Sequence, residues 1–210
     1  MKQQIDLTTW SRREHFAFFS TFEEPYFGIV ADVDATQAYA RAKALGISFF
    51  QLYLHSTLQA VNEVEAFRYR IEAGNVYCYD QVHVSATLMR PDTTFGFSFI
   101  PYTPSLLDFG AGLAAEIEAV RQTPGLRLND TTGRPDVVHF SAVPWFSFTG
   151  LTHARSFRHP DSIPKISVGR AQQKSGKLML PVAVNAHHGL ADGYHVGLFL
   201  EALQRALDAS

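Results

Sequence analysis

The apolar and polar positions along the chain change their period several times, and each change predicts an element. Residues 10–19 carry enough helix formers for a first helix, with Thr8 or Thr9 as its N-cap candidate. The run 26–33, YFGIVADV, is aromatic and β-branched and reads as a strand. The stretch 35–46 suits a helix ending at glycine, and 49–62 suits a longer, buried helix. Strands follow at 67–71, 76–79 and 82–88, around turns at Ala73-Gly74-Asn75 and Asp80, with another at 95–101. Residues 106–121 form a helix that stops before Pro124-Gly125. Then come a strand at 137–141 closed by Pro144-Trp145, a short one at 146–148, and two at 164–170 and 178–186 around Ser175-Gly176. The closing stretch 194–209 is amphipathic, with Val196, Phe199, Leu200, Leu203 and Leu207 near helical spacing.

Neighbouring strands with flanking helices point to an α+β fold, a two-layer sandwich with a mixed β-sheet. No linker, repeat or low-complexity segment interrupts the 210 residues, so residues 1–210 are expected to form a single domain. An apolar share of 46% is ample for one core. A net charge of −2, with lysines and arginines scattered, gives no reason to expect nucleic acid or an anionic membrane as a partner. The lone Cys78 excludes an intrachain disulfide framework. MKQQIDLTTW lacks the apolar run of a signal peptide and no stretch approaches a membrane span, so a cytoplasmic address is expected.

The chemistry concentrates in NAHHGLADGYHVGLF, residues 185–199. A strand runs into His187-His188, then the chain turns through Gly189 and Asp192-Gly193 into a helix. Strand-end loops commonly display reactive side chains, and histidine is the natural general base near neutral pH. Paired histidines are also common on surfaces and in satisfied cores, and Asp-Gly is an ordinary turn. Three histidines, 187, 188 and 195, invite a zinc reading. Adjacent strand residues point to opposite faces, so 187 and 188 do not readily share a metal, and none is expected.

HHGLADGYH is similar to the active-site signature of chloramphenicol acetyltransferases, a histidine pair followed three residues later by Asp-Gly. WSRREHF at residues 10–16 and SAVPW at 141–145 resemble the same family at matching positions, and FRYRIEAGNVYCYDQVHVSATL at 67–88 fits between them. The resemblance spans essentially the whole chain. It implies an acetyl-CoA-dependent O-acetyltransferase in which His188 takes the proton from an acceptor hydroxyl and Ser141 donates to the oxyanion. The imidazole would be held in its tautomer by its own backbone carbonyl, with His187 structural. Arg12 and Asp192 would form an ion pair shaping the site, and Ser167 would replace the threonine that orders a water near the oxyanion. The family fold assembles as a homotrimer with active sites between subunits. No cofactor is implied beyond acetyl-CoA as co-substrate, for which Arg170, followed by Ala171, stands where relatives carry lysine and tyrosine.

Departures from the family pattern cluster in the acceptor pocket. Phe19 replaces a tyrosine, and Glu23 and Pro25 stand where the family is apolar or has cysteine. His139, His153, Arg155 and Lys165 replace asparagine or apolar residues. With Phe95, the residues Phe19, His139, His153 and Lys165 are the candidate acceptor contacts. Burying unpaired charge against an apolar antibiotic is costly, so the acceptor is either chloramphenicol, as for the family's resistance enzymes, or a more polar hydroxylated molecule. Two further readings share the motif or the fold: the acyltransferase core of a 2-oxo acid dehydrogenase complex, and a non-catalytic ligand-binding or assembly module. No lipoyl or subunit-binding segment precedes WSRREHF in the sequence, and a binding module has no need of a base beside an oxyanion donor.

Overall fold

The structure, a computed structural model, describes residues 1–156 and 161–209. Five helices and ten strands are described: β1 (Lys2–Gln4), α1 (Arg13–Phe19), β2 (Tyr26–Asp34), α2 (Thr36–Leu45), α3 (Phe49–Glu63), β3 (Tyr69–Glu72), β4 (Asn75–Tyr79), β5 (His83–Met89), β6 (Phe95–Phe97), α4 (Leu106–Gln122), β7 (Val137–Val143), β8 (Lys165–Gly169), β9 (Gln172–Lys174), β10 (Lys177–His187) and α5 (Gly193–Asp208). The main sheet runs β2-β10-β8-β7-β5-β6, with β9 also paired to β10; β5-β7 and β7-β8 are parallel and the other pairs antiparallel. A small antiparallel sheet, β1-β4-β3, stands beside it. This is the mixed-sheet α+β sandwich that the hydrophobic pattern implies.

Both tight hairpins are set by their turn residues. Ala73-Gly74 and Ser175-Gly176 all take positive φ, between 49° and 80°, the conformation that matches the right-handed twist of the flanking strands. Ser48 and Ser105 cap α3 and α4 by accepting from Gln51 N and Asp108 N.

Strand alternation gives the main sheet two unlike faces. The row Ala86, Phe140, Ile166, Val184 and Ile29 is apolar across five strands. Phe50 and Tyr53 of α3 pack against Phe140, and Phe199 of α5 stacks on Phe67 within the same core. One residue along, the row reads Ser85, His139, Lys165, Asn185 and Gly28. Two further on it reads Ser141, Ser167, Ala183 and Val30. A sheet face lined by histidine, lysine, asparagine and serines is not built to be buried under a helix. It is overlain instead by coil after β7, from which His153, Arg155 and Asp161 reach Ser167, Tyr26 and Lys165.

Several boundaries differ from the sequence expectation. The first helix begins at Arg13 rather than at residue 10, and Arg12, not Thr8 or Thr9, precedes it without a side-chain cap. The two threonines bond to the Asp6 carboxylate instead, with Thr8 N to Oδ1 at 2.9 Å and Thr9 Oγ1 to Oδ2 at 3.2 Å. The strand expected at 95–101 is interrupted after Phe97, where the Ser98 hydroxyl takes the N–H of Ala86, and pairing with β5 returns at Ile100, which exchanges both backbone bonds with Val84. The strand expected at 67–71 starts at Tyr69, after a short 3-10 segment. Residues 146–148 are coil. Strands β1 and β9 went unpredicted because KQQ and QQK are exposed throughout and carry no alternation.

Candidate functional site

His188 follows the last residue of β10 and is fixed from several sides. Its backbone N–H donates to Pro25 O at 2.8 Å, and its carbonyl accepts from Arg12 Nη2 at 3.1 Å. The ring stacks on Phe19, with centroids 4.0 Å apart and planes 2° from parallel, and leans on Phe27 at 4.6 Å. Nδ1 is buried and has no hydrogen-bond partner among the described residues. Arg12 thus shares the His188 carbonyl, the group expected to hold the imidazole tautomer. His187, at the end of β10, is buried edge-on against Tyr26, and its Nδ1 accepts from Gly189 N at 3.1 Å. Burial, then the nearby Arg155 charge, lowers its pKa to about 4, so it is neutral at physiological pH.

Arg12 and Asp192 meet, with Nη1 to Oδ2 at 2.6 Å. The other carboxylate oxygen caps α5, accepting from Tyr194 N at 3.1 Å and lying 2.8 Å from His195 Nδ1. Burial opposes ionisation of Asp192, but the hydrogen bonds from Arg12 and His195 outweigh it and hold the carboxyl well below the usual range. One carboxylate thus ties the turn after His188 both to helix α5 and, through Arg12, to the carbonyl of His188. His195 has this role by its position at the third residue of α5, which the sequence shows but which was read there only as a zinc candidate.

Ser141 lies on the polar face of the sheet, its Oγ 3.2 Å from Thr87 Oγ1, a neighbour the sequence reading missed. Ser167 stands opposite it in register and is fully buried, with Oγ 3.4 Å from His153 Nε2. His139 and Lys165 pair one step earlier along the same two strands. Burial, then the Lys165 ammonium, lowers the His139 pKa to about 4, and the same two causes lower that of His153. Phe95 lies on this face too, on the far edge strand, by its register with Met89.

Lys165 is not the free cation that the sequence suggested. Its ammonium donates to both oxygens of Asp161, at 2.9 and 3.2 Å, and to Ile163 O at 3.3 Å, and sits 4.7 Å from the Tyr26 ring. Tyr26 donates to Asp161 Oδ1 at 2.6 Å, and Arg155, ion-paired with Glu24, covers the Tyr26 ring at 3.5 Å. Asp161 lies four residues before Lys165, a spacing that singles out no partner when the intervening backbone is coil, so no local pattern signals this network.

The structure does not bring His188 and Ser141 together. Ser141 is level with Ser167 and hence with Ala183, two strands away on β10. His188 is five residues further on, so the two are separated by about 16 Å along the strands and about 10 Å across them. Arg170 is elsewhere again, on an apolar cleft of about 510 Å³ walled by Tyr39, Phe49, Phe50 and Tyr53. No group of three or more His, Cys, Asp or Glu among the described residues could hold a metal ion.

A family model described as chloramphenicol acetyltransferase matches residues 2–204. Chloramphenicol acetyltransferase 2 of Escherichia coli is 29% identical over 98% of this chain and 96% of its own length. A chloramphenicol acetyltransferase of Bacillus pumilus is 26% identical over 97% and 92%. Among solved structures, a chloramphenicol acetyltransferase superposes with a TM-score of 0.91 at 32% identity, covering 99% of this chain and all of the other. A dihydrolipoamide acetyltransferase of Azotobacter vinelandii superposes at 0.72 over 93% of this chain and 86% of its own, at 18% identity, and shows the shared fold alone.

Proposed function

The chain belongs to the chloramphenicol acetyltransferase family of CoA-dependent acyltransferases, and on that premise we propose that it moves an acetyl group from acetyl-CoA to the hydroxyl of a small acceptor. His188 is the base. It accepts the hydroxyl proton as the oxygen attacks the thioester carbonyl. Ser141 Oγ–H, set against Thr87, donates to the oxyanion of the tetrahedral intermediate. As the intermediate collapses the C–S bond breaks, and the departing CoA thiolate takes the proton back from His188. Arg12 and Asp192 hold the turn that carries His188 and take no proton. Ser167, beside Ser141, positions a water or an acceptor oxygen.

The observation that carries this reading is the clamped imidazole: stacked on Phe19, leaning on Phe27, and anchored by Pro25 and Arg12 through its backbone. Such fixation lowers the entropy cost of a proton transfer and has little purpose in a binding module. Because one chain keeps His188 and Ser141 far apart, the complete site needs the histidine of one copy and the polar sheet face of another. A homotrimer of rotationally related copies supplies this pairing three times over. The aromatic cleft beside Arg170 suits the pantetheine and adenine of acetyl-CoA, with the guanidinium near a phosphate. No described helix is long and apolar enough to cross a membrane, and the proposed address is the cytoplasm.

Chloramphenicol, for which the relatives are named, is the first acceptor to test. The paired charges around Tyr26 favour a second reading of the acceptor, the same chemistry on a more polar alcohol. Thiol release from acetyl-CoA with chloramphenicol and a panel of hydroxylated acceptors tests the reaction. A wild-type protein that transfers acetyl to none of them, or a His188→Ala variant with an undiminished rate, refutes it.

A further inference from the structure

The charges on the polar face are unevenly placed in depth. Arg70, on β3, is 1% exposed and spends its donors on the carbonyls of Pro135, Phe67, Tyr69 and Val137, with no carboxylate bonded to it among the described residues. In the two ion pairs beside the Tyr26 ring the cation is the deeper member, whereas near Arg70 the Asp136 carboxylate is deeper than its partner Arg134. Side-chain exposure is 8% for Lys165 against 33% for Asp161, and 11% for Arg155 against 46% for Glu24. The interior of this face is therefore electropositive and its rim electronegative. The depressed pKa of His139 agrees: after burial its chief cause is the Lys165 charge, opposed by Asp161 and reinforced by Arg70.

Beside these cations lies a cleft of about 480 Å³ lined by Glu24, Tyr26, Lys165, Asn185, Arg155 and coil residues 149–153. That volume is within the range of small-molecule sites. Two N–H donors of its lining residues, Asn185 Nδ2 and Arg155 Nε, are buried without an acceptor among the described residues. Donors with nothing to bind, beside cations buried more deeply than their carboxylates, suit a ligand that brings oxygen and a negative charge able to replace Glu24.

We propose that the acceptor alcohol carries a carboxylate, received in this cleft by Arg155 and Asn185 in exchange for Glu24. This rests on the acyltransferase reading above and narrows its acceptor. Sheet register also sets the spacing. Asn185, level with Lys165, is two residues along and two strands across from Ser141, so the anion site is about 7 Å along the strands and about 10 Å across them from the oxyanion donor. The hydroxyl and carboxylate are then at least about five bonds apart, too many for an α-hydroxy acid. The transfer itself is unchanged: the hydroxyl proton passes to His188, the C–O bond forms, and the thioester C–S bond breaks.

The test is thiol release from acetyl-CoA by the intact protein with 6-hydroxyhexanoate, its methyl ester, lactate and chloramphenicol. The expected kcat/KM for 6-hydroxyhexanoate exceeds that for the ester and for lactate by about tenfold or more at low salt, and the advantage shrinks as salt rises. Arg155→Gln should abolish the preference for carboxylate over ester. Glu24→Gln, at the rim, should enlarge it several-fold. An ester accepted as well as the acid by the wild type, or a Glu24→Gln variant with an unchanged ratio, overturns the proposal. If chloramphenicol or the ester is acetylated and the acid is not favoured, this inference alone falls. If none of the four releases thiol, the acyltransferase reading falls with it.

Discussion

Two inactive variants of this chain should restore each other when assembled together. His188→Ala removes the base and leaves a working Ser141 face; Ser141→Ala does the reverse. A lost general base costs about 10²–10⁴ in rate, and a lost oxyanion donor about 10²–10³ in kcat, so each parent should retain about 1% or less. If every site takes His188 from one copy and Ser141 from the next, a site works only when a Ser141→Ala chain supplies the histidine and a His188→Ala chain supplies the serine. In a one-to-one random ring each has a chance of one half, so about a quarter of the sites are intact, whatever the number of copies. Sheet register leads to this expectation: Ser141 is level with Ala183, five residues short of His188 and two strands away.

The assay is direct. The two purified variants are unfolded together, refolded, and assayed for thiol release from acetyl-CoA, with variants mixed without unfolding as the control. Activity near a quarter of wild type supports a shared site, since it stands about 25-fold above either parent. A refolded mixture no more active than the mean of its parents would refute the reasoning and require both groups to act within one chain.

Three further outcomes are expected. His188→Gln should lose turnover yet still fold and bind CoA by calorimetry, whereas His187→Gln should chiefly lower the urea midpoint. Arg12→Ala and Asp192→Ala should each destabilise the chain by about 1–3 kcal/mol, less than a fully buried pair because Asp192 is 30% exposed; a double-mutant cycle that shows simple additivity would mean that the pair is not coupled. His139 and His187 take up a proton near pH 4 when folded and near 6.5 when unfolded, so unfolding binds protons across that window and stability falls as pH drops through it, by up to about 3 kcal/mol for each. Below it the depressed carboxyls of Asp161 and Asp192 continue the loss, and His187→Gln should flatten the upper part of the curve in urea titrations at stepped pH.

The elements that the sequence revealed are those whose period follows from burial on one side. Helix α5 shows its core face in Val196, Phe199, Leu203 and Leu207, all buried, and β10 shows its length because both its faces are covered. Strands without such a face, β1 and β9, left no trace. The same rule governs the site. His188, Asp192, Arg12 and Ser141 were found because they sit in short local motifs, each within one turn or strand end. Asp161, Tyr26 and Glu24 act only through contacts that the fold creates between β2, β8 and coil, and no local pattern announces them or the pairing of Arg155 with Glu24.

The partnering of those charges also changes what the departures from the family mean. Read singly, Lys165 and Arg155 are unpaired cations in an apolar pocket, a costly arrangement. Read with Asp161, Glu24 and the Tyr26 ring between them, they form a connected network in which each cation is balanced by a carboxylate. Replacing one member would strand its partner, so the set is stable only as a whole. A pocket assembled in this way can be returned to an apolar one only by changing several residues together. That is why restoring a single family residue, Lys165→Ile, should leave Asp161 without its cation and harm the protein before it helps a neutral acceptor bind.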